Sequence, residues 1–131
     1  EINKVNKLIA VIEKRLGVNL SAKDVYINLV GGIKVREPAV DLAIAAAILS
    51  SVFNKTIDKK SAFIGELGLT GEIRNVSRLK ERVSEAVRLG ITDVYIPSKG
   101  MGKDKWTGVN VHPLLNIGEL AKQIGITTSG N

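Results

Sequence analysis

Few side chains in this sequence could carry out chemistry. There is one histidine, His112, and there is no cysteine, so little is available to build a zinc centre or a histidine-based triad. His112 stands beside Pro113 without companions at metal-ligand spacing, and we expect a structural role for it. Ser77 has a hydroxyl that could act as a nucleophile, but its place before a helical pattern favours a helix N-cap.

Binding of phosphates is a second kind of chemistry to consider. Glycines at 65, 68 and 71 resemble a phosphate cradle only superficially, and the chain has no Gly-x-x-x-x-Gly-Lys-Ser/Thr motif, so it encodes no ATP site. The chain does carry 19 Lys and Arg against 13 Asp and Glu, a net charge of +6. Such an excess favours a polyanionic partner such as nucleic acid, although it also serves solubility alone.

The elements that would position these residues follow from periodicity and from turn residues. Apolar residues at helical spacing predict a first helix from Val5 to Leu16, which Gly17 ends. Pro38 opens a central helix that runs to about Asn54 and is apolar on nearly every face, which is typical of a buried helix. The other predicted elements are strands at 24–30, 61–64, 93–96 and 109–112, a bent hairpin at 65–73, helices at 77–89 and 117–124, a basic loop at 98–105 and a frayed tail at 127–131.

This alternation of helices and strands predicts one layered α/β or α+β domain over residues 1–131. No apolar run reaches the roughly 18 residues that span a bilayer, and the first residues lack the pattern of a secretory signal. Together with the absence of cysteine, this is compatible with a cytoplasmic protein without membrane contact.

Three segments carry a resemblance to a known family: DVYINLVGG at 24–32, EPAVDLA at 37–43 and GELGLTGEIR at 65–74. They resemble the C-terminal domain of the RadA (Sms) family of bacterial DNA-repair proteins, and that domain resembles the proteolytic domain of Lon proteases. The resemblance implies a Lon-type, two-layer α+β fold of the ribosomal protein S5 domain 2 class, with a central buried helix.

The likeness to Lon also implies what the catalytic positions hold. Lon proteases place a nucleophilic serine in a Pro-Lys-Asp-Gly-Pro-Ser-Ala-Gly segment, and alignment on its second proline, Pro38 here, puts Ala39 at the serine position. The Leu-Lys-Glu-Lys stretch of the family puts Lys80 at its lysine position. A methyl group cannot attack a carbonyl, so we expect no catalytic residue and no peptidase activity. The alternative is a peptidase with an unrecognised nucleophile.

Lys80 then has three possible roles: a relic, a DNA contact, or a buried partner for a carboxylate such as Asp41. Arg36, with Lys34 nearby, would contact a phosphate or form a helix-entry ion pair with Glu37 or Asp41.

Two further groups of cations could contact DNA. The arginines at 74, 78, 82 and 88 could form a basic ridge, or a plain solvated helix face, because Glu81 and Glu85 interleave with them. Lys99, Lys103 and Lys105 precede Trp106, which could stack on a base or simply pack on the domain. The candidate DNA-binding residues are Lys34, Arg36, Arg74, Arg78, Lys80, Lys103 and Lys105.

The family resemblance also implies which other domains accompany this one and what the whole protein does. In that family a zinc finger and a RecA-type ATPase precede this domain, and the whole protein is a hexameric ring that promotes branch migration in DNA recombination and repair. ATP, magnesium and zinc belong to those other parts, so this domain is expected to need no cofactor. Its expected partners are single-stranded or branched DNA and other copies of itself. The alternative is an oligomerisation scaffold without DNA contact.

Overall fold

The computed structural model describes residues 2–20, 37–100 and 106–126. The predicted strand at 24–30 and the predicted frayed tail at 127–131 lie outside the described residues. The helices are α1 (Ile2–Leu16), α2 (Asp41–Phe53), α3 (Leu79–Arg88) and α4 (Ile117–Ile124), and the strands are β1 (Ser61–Phe63), β2 (Glu66–Leu67), β3 (Ile73–Arg74), β4 (Asp93–Pro97) and β5 (Asn110–Leu114). Within these ranges no helix is both long and apolar enough to cross a membrane.

The amphipathic helices form where the apolar spacing predicts them. In α1, Leu8, Ile12 and Leu16 are buried, and Gly17 follows with a φ of 68°, a conformation that glycine adopts without strain. In α4, the Asn116 side chain caps the helix by accepting a hydrogen bond from the Glu119 amide at 3.0 Å. Apolar periodicity therefore located both helices correctly.

The central helix differs from its prediction in two ways. It starts as a 3₁₀ turn, Pro38–Val40, and becomes α-helical at Asp41. The carbonyl of Ala39 accepts a hydrogen bond from Gly65 at 3.0 Å, so it is paired with the neighbouring segment instead of with an α-helical amide. Ala43 and Ala47 are exposed, so the helix is not buried on every side, although Leu42, Ala45, Ile48 and Leu49 have no exposed surface.

Three parallel strands, in the order β1-β4-β5, form the main sheet. Side chains alternate between its faces. Val94 and Ile96 of β4 pack with Leu79 and Val83 of α3, while Tyr95 packs with the core formed by α1, α2 and α4. The sheet thus lies between α3 and the other helices, and the predicted α/β class is confirmed.

Strand β5 is one of the two edge strands of the described sheet. The Asn110 amide donates to the Thr92 carbonyl at 2.8 Å, so the amides at even-numbered positions of β5 face β4. The odd-numbered positions face away from the sheet, and one of them is Pro113, which has no amide hydrogen.

One ring from each strand forms a stack across the sheet. Phe63 and Tyr95 have ring centroids 4.5 Å apart, and Tyr95 and His112 have centroids 4.4 Å apart. His112 Nε2 also lies 2.9 Å from Asp93 Oδ1. The contact with His112 lowers the pKa of Asp93 the most, and a hydrogen bond from the Thr92 hydroxyl lowers it further. The single histidine is therefore held by ring stacking and by a carboxylate.

Strands β2 and β3 pair antiparallel and form the predicted hairpin. The Glu72 carboxylate folds over its turn, where it accepts hydrogen bonds from the Thr70 hydroxyl, from the Thr70 amide at 3.2 Å and from Arg74 Nε at 3.0 Å. A Cβ atom at Gly68 would lie 2.2 Å from Glu72 Oε2. A side chain at position 68 would therefore have to displace the Glu72 carboxylate from the turn.

The hydrogen bonds of Glu72 predict an acid dependence of stability. The pKa of Glu72 is about 2 instead of 4.5. The hydrogen bond from the Thr70 hydroxyl lowers it the most, followed by a backbone hydrogen bond and by Arg74. A carboxylate whose pKa is lower in the folded state contributes stability above about pH 4.5, and this contribution is lost as the pH falls towards 2. The free energy of unfolding of Glu72→Gln should therefore be lower than that of wild type at pH 7 and fall less between pH 4.5 and pH 2.

Urea denaturation of both proteins at pH 7, 4.5 and 2.5 measures this difference. Glu81→Gln, at an exposed glutamate on α3, is the control, since no hydrogen bond to its carboxylate is found among the described residues. Parallel pH profiles for wild type and Glu72→Gln would contradict the prediction.

The start of α3 corrects a second prediction. The N-cap is Arg78 and not Ser77, and no side chain caps the first turn. The Ser77 carbonyl instead accepts a hydrogen bond from Arg82 Nε at 2.8 Å. Arg78 has a φ of 60°, in the left-handed region that residues with a Cβ adopt at a cost of about 1 kcal/mol.

Candidate nucleic-acid interface

The position aligned with the Lon nucleophile lies at the entrance of the central helix. Ala39 is in the middle of the 3₁₀ turn, and only 5% of its surface is exposed. Its methyl group has no proton that a base could remove and no lone pair that could attack a carbonyl. The side chains around Ala39 therefore matter for what they bind, and the lack of peptidase activity stays a prediction.

A buried ion pair closes this entrance. Asp41 is 1% exposed, and its Oδ1 lies 2.7 Å from the Nζ of Lys4 in α1. Asp41 Oδ2 accepts a hydrogen bond from the Leu67 amide at 3.1 Å, and Lys4 Nζ also donates to the Glu37 carbonyl at 3.3 Å. The suggestion that Lys80 pairs with Asp41 is therefore wrong: the partner comes from α1, and Lys80 is exposed.

A second ion pair joins α3 to the same segment. Arg82 Nη2 lies 2.8 Å from Glu37 Oε1, and the Nε of the same guanidinium is held by the Ser77 carbonyl. Residues two apart on a helix point about 200° from each other, so Lys80 lies on the opposite flank of α3. The α3 residue that contacts the 37–39 segment is thus Arg82, although alignment with Lon puts Lys80 at the lysine position.

The arginines of the suggested ridge fall into two groups. Arg74 pairs with Glu72 at 2.9 Å, Arg88 pairs with Glu85, and Arg82 pairs with Glu37. Arg78 is exposed, as is Lys80, and neither has an ion pair with any residue that the structure describes. The start of α3 therefore presents two free cations, while the rest of the ridge is largely neutralised.

The other candidate DNA-binding residues cannot be placed. Lys34, Arg36, Lys103 and Lys105 lie outside the described residues. Lys99 belongs to a 3₁₀ turn, Ser98–Gly100, and is exposed. A Cβ atom at Gly100 would lie 2.6 Å from Leu79 Cδ2, so this turn packs directly on the first residue of α3. Lys99 therefore belongs to a turn that packs on Leu79, the residue between the two free cations.

Two surface concavities flank α3. One, of about 420 Å³, is lined by Arg78, Glu81, Arg82 and Glu85, and its mixed charges do not favour an anion. The other lies on the opposite flank, where Trp106 packs partly buried against the α3 core. Trp106 therefore packs on the domain. The part of its ring that lines this concavity is the part that could stack on a base.

Sequence reasoning missed Lys4, and it did not predict that Glu37 pairs with Arg82. Asp41 at the start of an apolar helix was itself a signal, because a carboxylate there needs a cation from elsewhere in the chain. Nothing in the sequence singled out Lys4 as that cation. No group of three or more histidine, aspartate or glutamate side chains among the described residues could hold a metal ion.

Comparison with known proteins gives the class first. Residues 2–100 match the sequence model of a family described as subunit ChlI of Mg-chelatase, and this chain belongs to that family. The match takes in α1, the central helix, the hairpin and α3. It therefore covers the ion-paired entrance and the free cations together.

The individual relatives are more specific. The chain is 43% identical to the DNA repair protein RadA of Streptococcus pyogenes serotype M3 over 95% of its own length and 28% of the relative. It is 41% identical to that of Streptococcus pneumoniae over 98% of the chain and 28% of the relative, and 45% identical to that of Listeria monocytogenes over 94% and 27%. The resemblance to RadA is thus confirmed, and the chain spans little more than a quarter of the length of these relatives.

Proposed function

We propose that this chain is a non-proteolytic module of a DNA-repair protein and that it binds DNA through the start of α3. The name of its relatives, DNA repair protein RadA, supports the setting. The observation that carries the binding site is the pair of exposed cations Arg78 and Lys80, which have no ion pair among the described residues, with Lys99 in a turn that packs on Leu79 between them. Free cations attract DNA phosphates and release the counterions bound to them.

The entrance of the central helix supports the non-proteolytic part. Ala39 offers no nucleophile, and the Lys4 ammonium at the helix entrance is held by a buried carboxylate. A Ser/Lys mechanism needs a hydroxyl nucleophile and a lysine beside it, and the entrance has no such hydroxyl at position 39. The arrangement therefore serves structure better than hydrolysis.

The salt dependence of DNA binding tests the proposal. Affinity for fluorescein-labelled single-stranded and duplex DNA, followed by anisotropy, should fall linearly on a log–log plot of affinity against salt, with a slope of about 0.7–0.9 per phosphate contacted. Lys80→Glu should weaken binding several-fold and reduce the slope by about that amount.

Lys122→Glu is the matched control, because it makes the same charge change at an exposed lysine of α4. Equal losses in the two variants would show that only net charge matters. No binding at low salt would overturn the proposal.

Arg78 allows stability and binding to be separated. Glycine adopts a φ of 60° freely, so Arg78→Gly should raise the free energy of unfolding by about 0.5–1 kcal/mol while weakening DNA binding. Arg78→Ala removes the same charge and keeps the Cβ, so it should bind DNA equally weakly without the gain in stability. Denaturant titration and anisotropy measure the two effects, and a stabilised glycine variant with wild-type affinity would exclude Arg78 from the interface.

Assembly is the second candidate function, and exposed leucines favour it. Leu69 at the hairpin turn is 68% exposed, and Leu115 is 52% exposed. In the proposed ring of six subunits, weak contacts of single domains with DNA would add up through effective concentration. Light scattering that shows oligomers of this chain, combined with an absence of DNA binding, would favour a pure scaffold. Branch migration by the complete ring is part of the same proposal.

A further inference from the structure

The flank of α3 that carries Lys80 has a groove that the proposed function does not use. It has a volume of about 240 Å³ and is lined by Val83, Ser84, Val87, Trp106 and Thr107. Val83 is fully buried and Val87 is partly buried, so the floor is apolar, and the exposed Ser84 and Thr107 put hydroxyls at the rim. A groove with an apolar floor, the Trp106 ring at its side and hydroxyls at its rim fits a flat aromatic ring that has polar edges.

The indole of Trp106 has an unused donor. Its Nε1 is shielded from solvent, and none of the residues that the structure describes accepts a hydrogen bond from it. A buried N–H without an acceptor destabilises the site that contains it, and a ligand that brings an acceptor relieves this cost. Because this N–H lies in the plane of the indole, its acceptor would come from the nucleotide beside the stacked base, whose base edge and phosphate both carry acceptors.

The charges on α3 also favour an anionic ligand on this flank. Lys80, Ser84 and Val87 follow one another at spacings of four and three residues, so they form one stripe along the helix. Glu81 and Glu85 fall on the other side, with Arg78 and Arg82. The groove therefore continues towards a free cation without passing a carboxylate of this helix.

We propose that this groove is a subsite for single-stranded nucleic acid, with one base against Trp106 and a neighbouring phosphate paired with Lys80. The inference rests on the proposed function and adds a strand type and a position to it. In a duplex the bases are stacked and paired inside, so they cannot reach a groove of this kind. Aromatic contacts of this type are tolerant of sequence, because every base has a π-face.

Trp106 is the only tryptophan, so its fluorescence reports on the groove alone. Titration of the 131-residue chain with a twelve-nucleotide oligothymidine should quench this emission in a saturable way. A duplex of the same length should bind without quenching it. Trp106→Leu should weaken oligothymidine binding by about tenfold or more in anisotropy, with an unchanged salt slope, because stacking releases no counterions.

Trp106 also packs on the core, so a rim variant provides a test that does not depend on it. Ser84→Glu places a carboxylate at the edge of the groove and should weaken oligothymidine binding and remove the quenching. Ser51→Glu, at an exposed serine of α2, makes the same charge change away from the groove and should keep the quenching.

The outcomes separate this inference from the proposed function. Oligothymidine binding with unchanged Trp106 emission, and with equal affinities for Ser84→Glu and Ser51→Glu, would overturn the groove and leave DNA binding intact. Equal quenching by the duplex would overturn the assignment to single strands. Emission that changes with protein concentration alone would assign the groove to a second copy of the chain. Absence of all DNA binding would overturn the proposed function and this inference with it.

Discussion

Lys4→Met is expected to lower the free energy of unfolding by about 3–5 kcal/mol, because it leaves the buried Asp41 carboxylate without its cation. The other Asp41 oxygen keeps its hydrogen bond from the Leu67 amide, which cannot replace a charge 2.7 Å away. Chemical denaturation at pH 7 measures the change.

Lys14→Met on the same helix is the control, since Lys14 is exposed and lies on the last turn of α1. It should change the free energy of unfolding by no more than about 0.5 kcal/mol. The double variant Lys4→Met/Asp41→Asn removes both charges and should be more stable than Lys4→Met alone. A single variant as stable as wild type, or a double variant less stable than the single, would show that the pair does not join α1 to α2.

Leu42→Ala is expected to cost about 2–5 kcal/mol, because Leu42 has no exposed surface and its removal leaves a cavity in the main core. The side chain also packs against Gly65, whose added Cβ would lie 3.4 Å from Leu42 Cδ2. The surrounding segment is fixed by hydrogen bonds, since the Leu42 amide donates to the Gly65 carbonyl at 3.0 Å, and this limits its collapse into the cavity.

Leu69→Ala provides a matched control for the same chemical change. Leu69 is 68% exposed at the hairpin turn, so its truncation should change stability by no more than about 0.5 kcal/mol. Similar losses in Leu42→Ala and Leu69→Ala would show that the start of the central helix is not part of the core. The same urea titration serves both variants.

The parts of the fold that the sequence predicted are those that local patterns determine. Apolar spacing of three and four residues located α1 and α3, and β-branched residues located β4, because these signals lie within one element. The N-cap of α3 was misplaced by one residue, from Arg78 to Ser77. A serine before an apolar stripe normally caps a helix, but here its carbonyl is committed to Arg82.

The site was less predictable because its partners come from distant parts of the chain. Lys80 and Arg36 were the partners considered for Asp41, and nothing local indicated that Lys4 would reach it. The sequence also left open whether the arginines of α3 act together. Only the structure shows that Glu37, Glu72 and Glu85 pair with Arg82, Arg74 and Arg88 and leave Arg78 free.

Pro113, in the edge strand β5, affects how one molecule can pair with another at high concentration. The backbone of position 113 faces away from the sheet and has no amide hydrogen. A strand from a neighbouring molecule that pairs with β5 therefore lacks one backbone hydrogen bond. Two molecules at high local concentration could otherwise pair edge to edge and aggregate. Pro113 thus weakens the pairing of a strand from another copy along the β5 edge of the sheet.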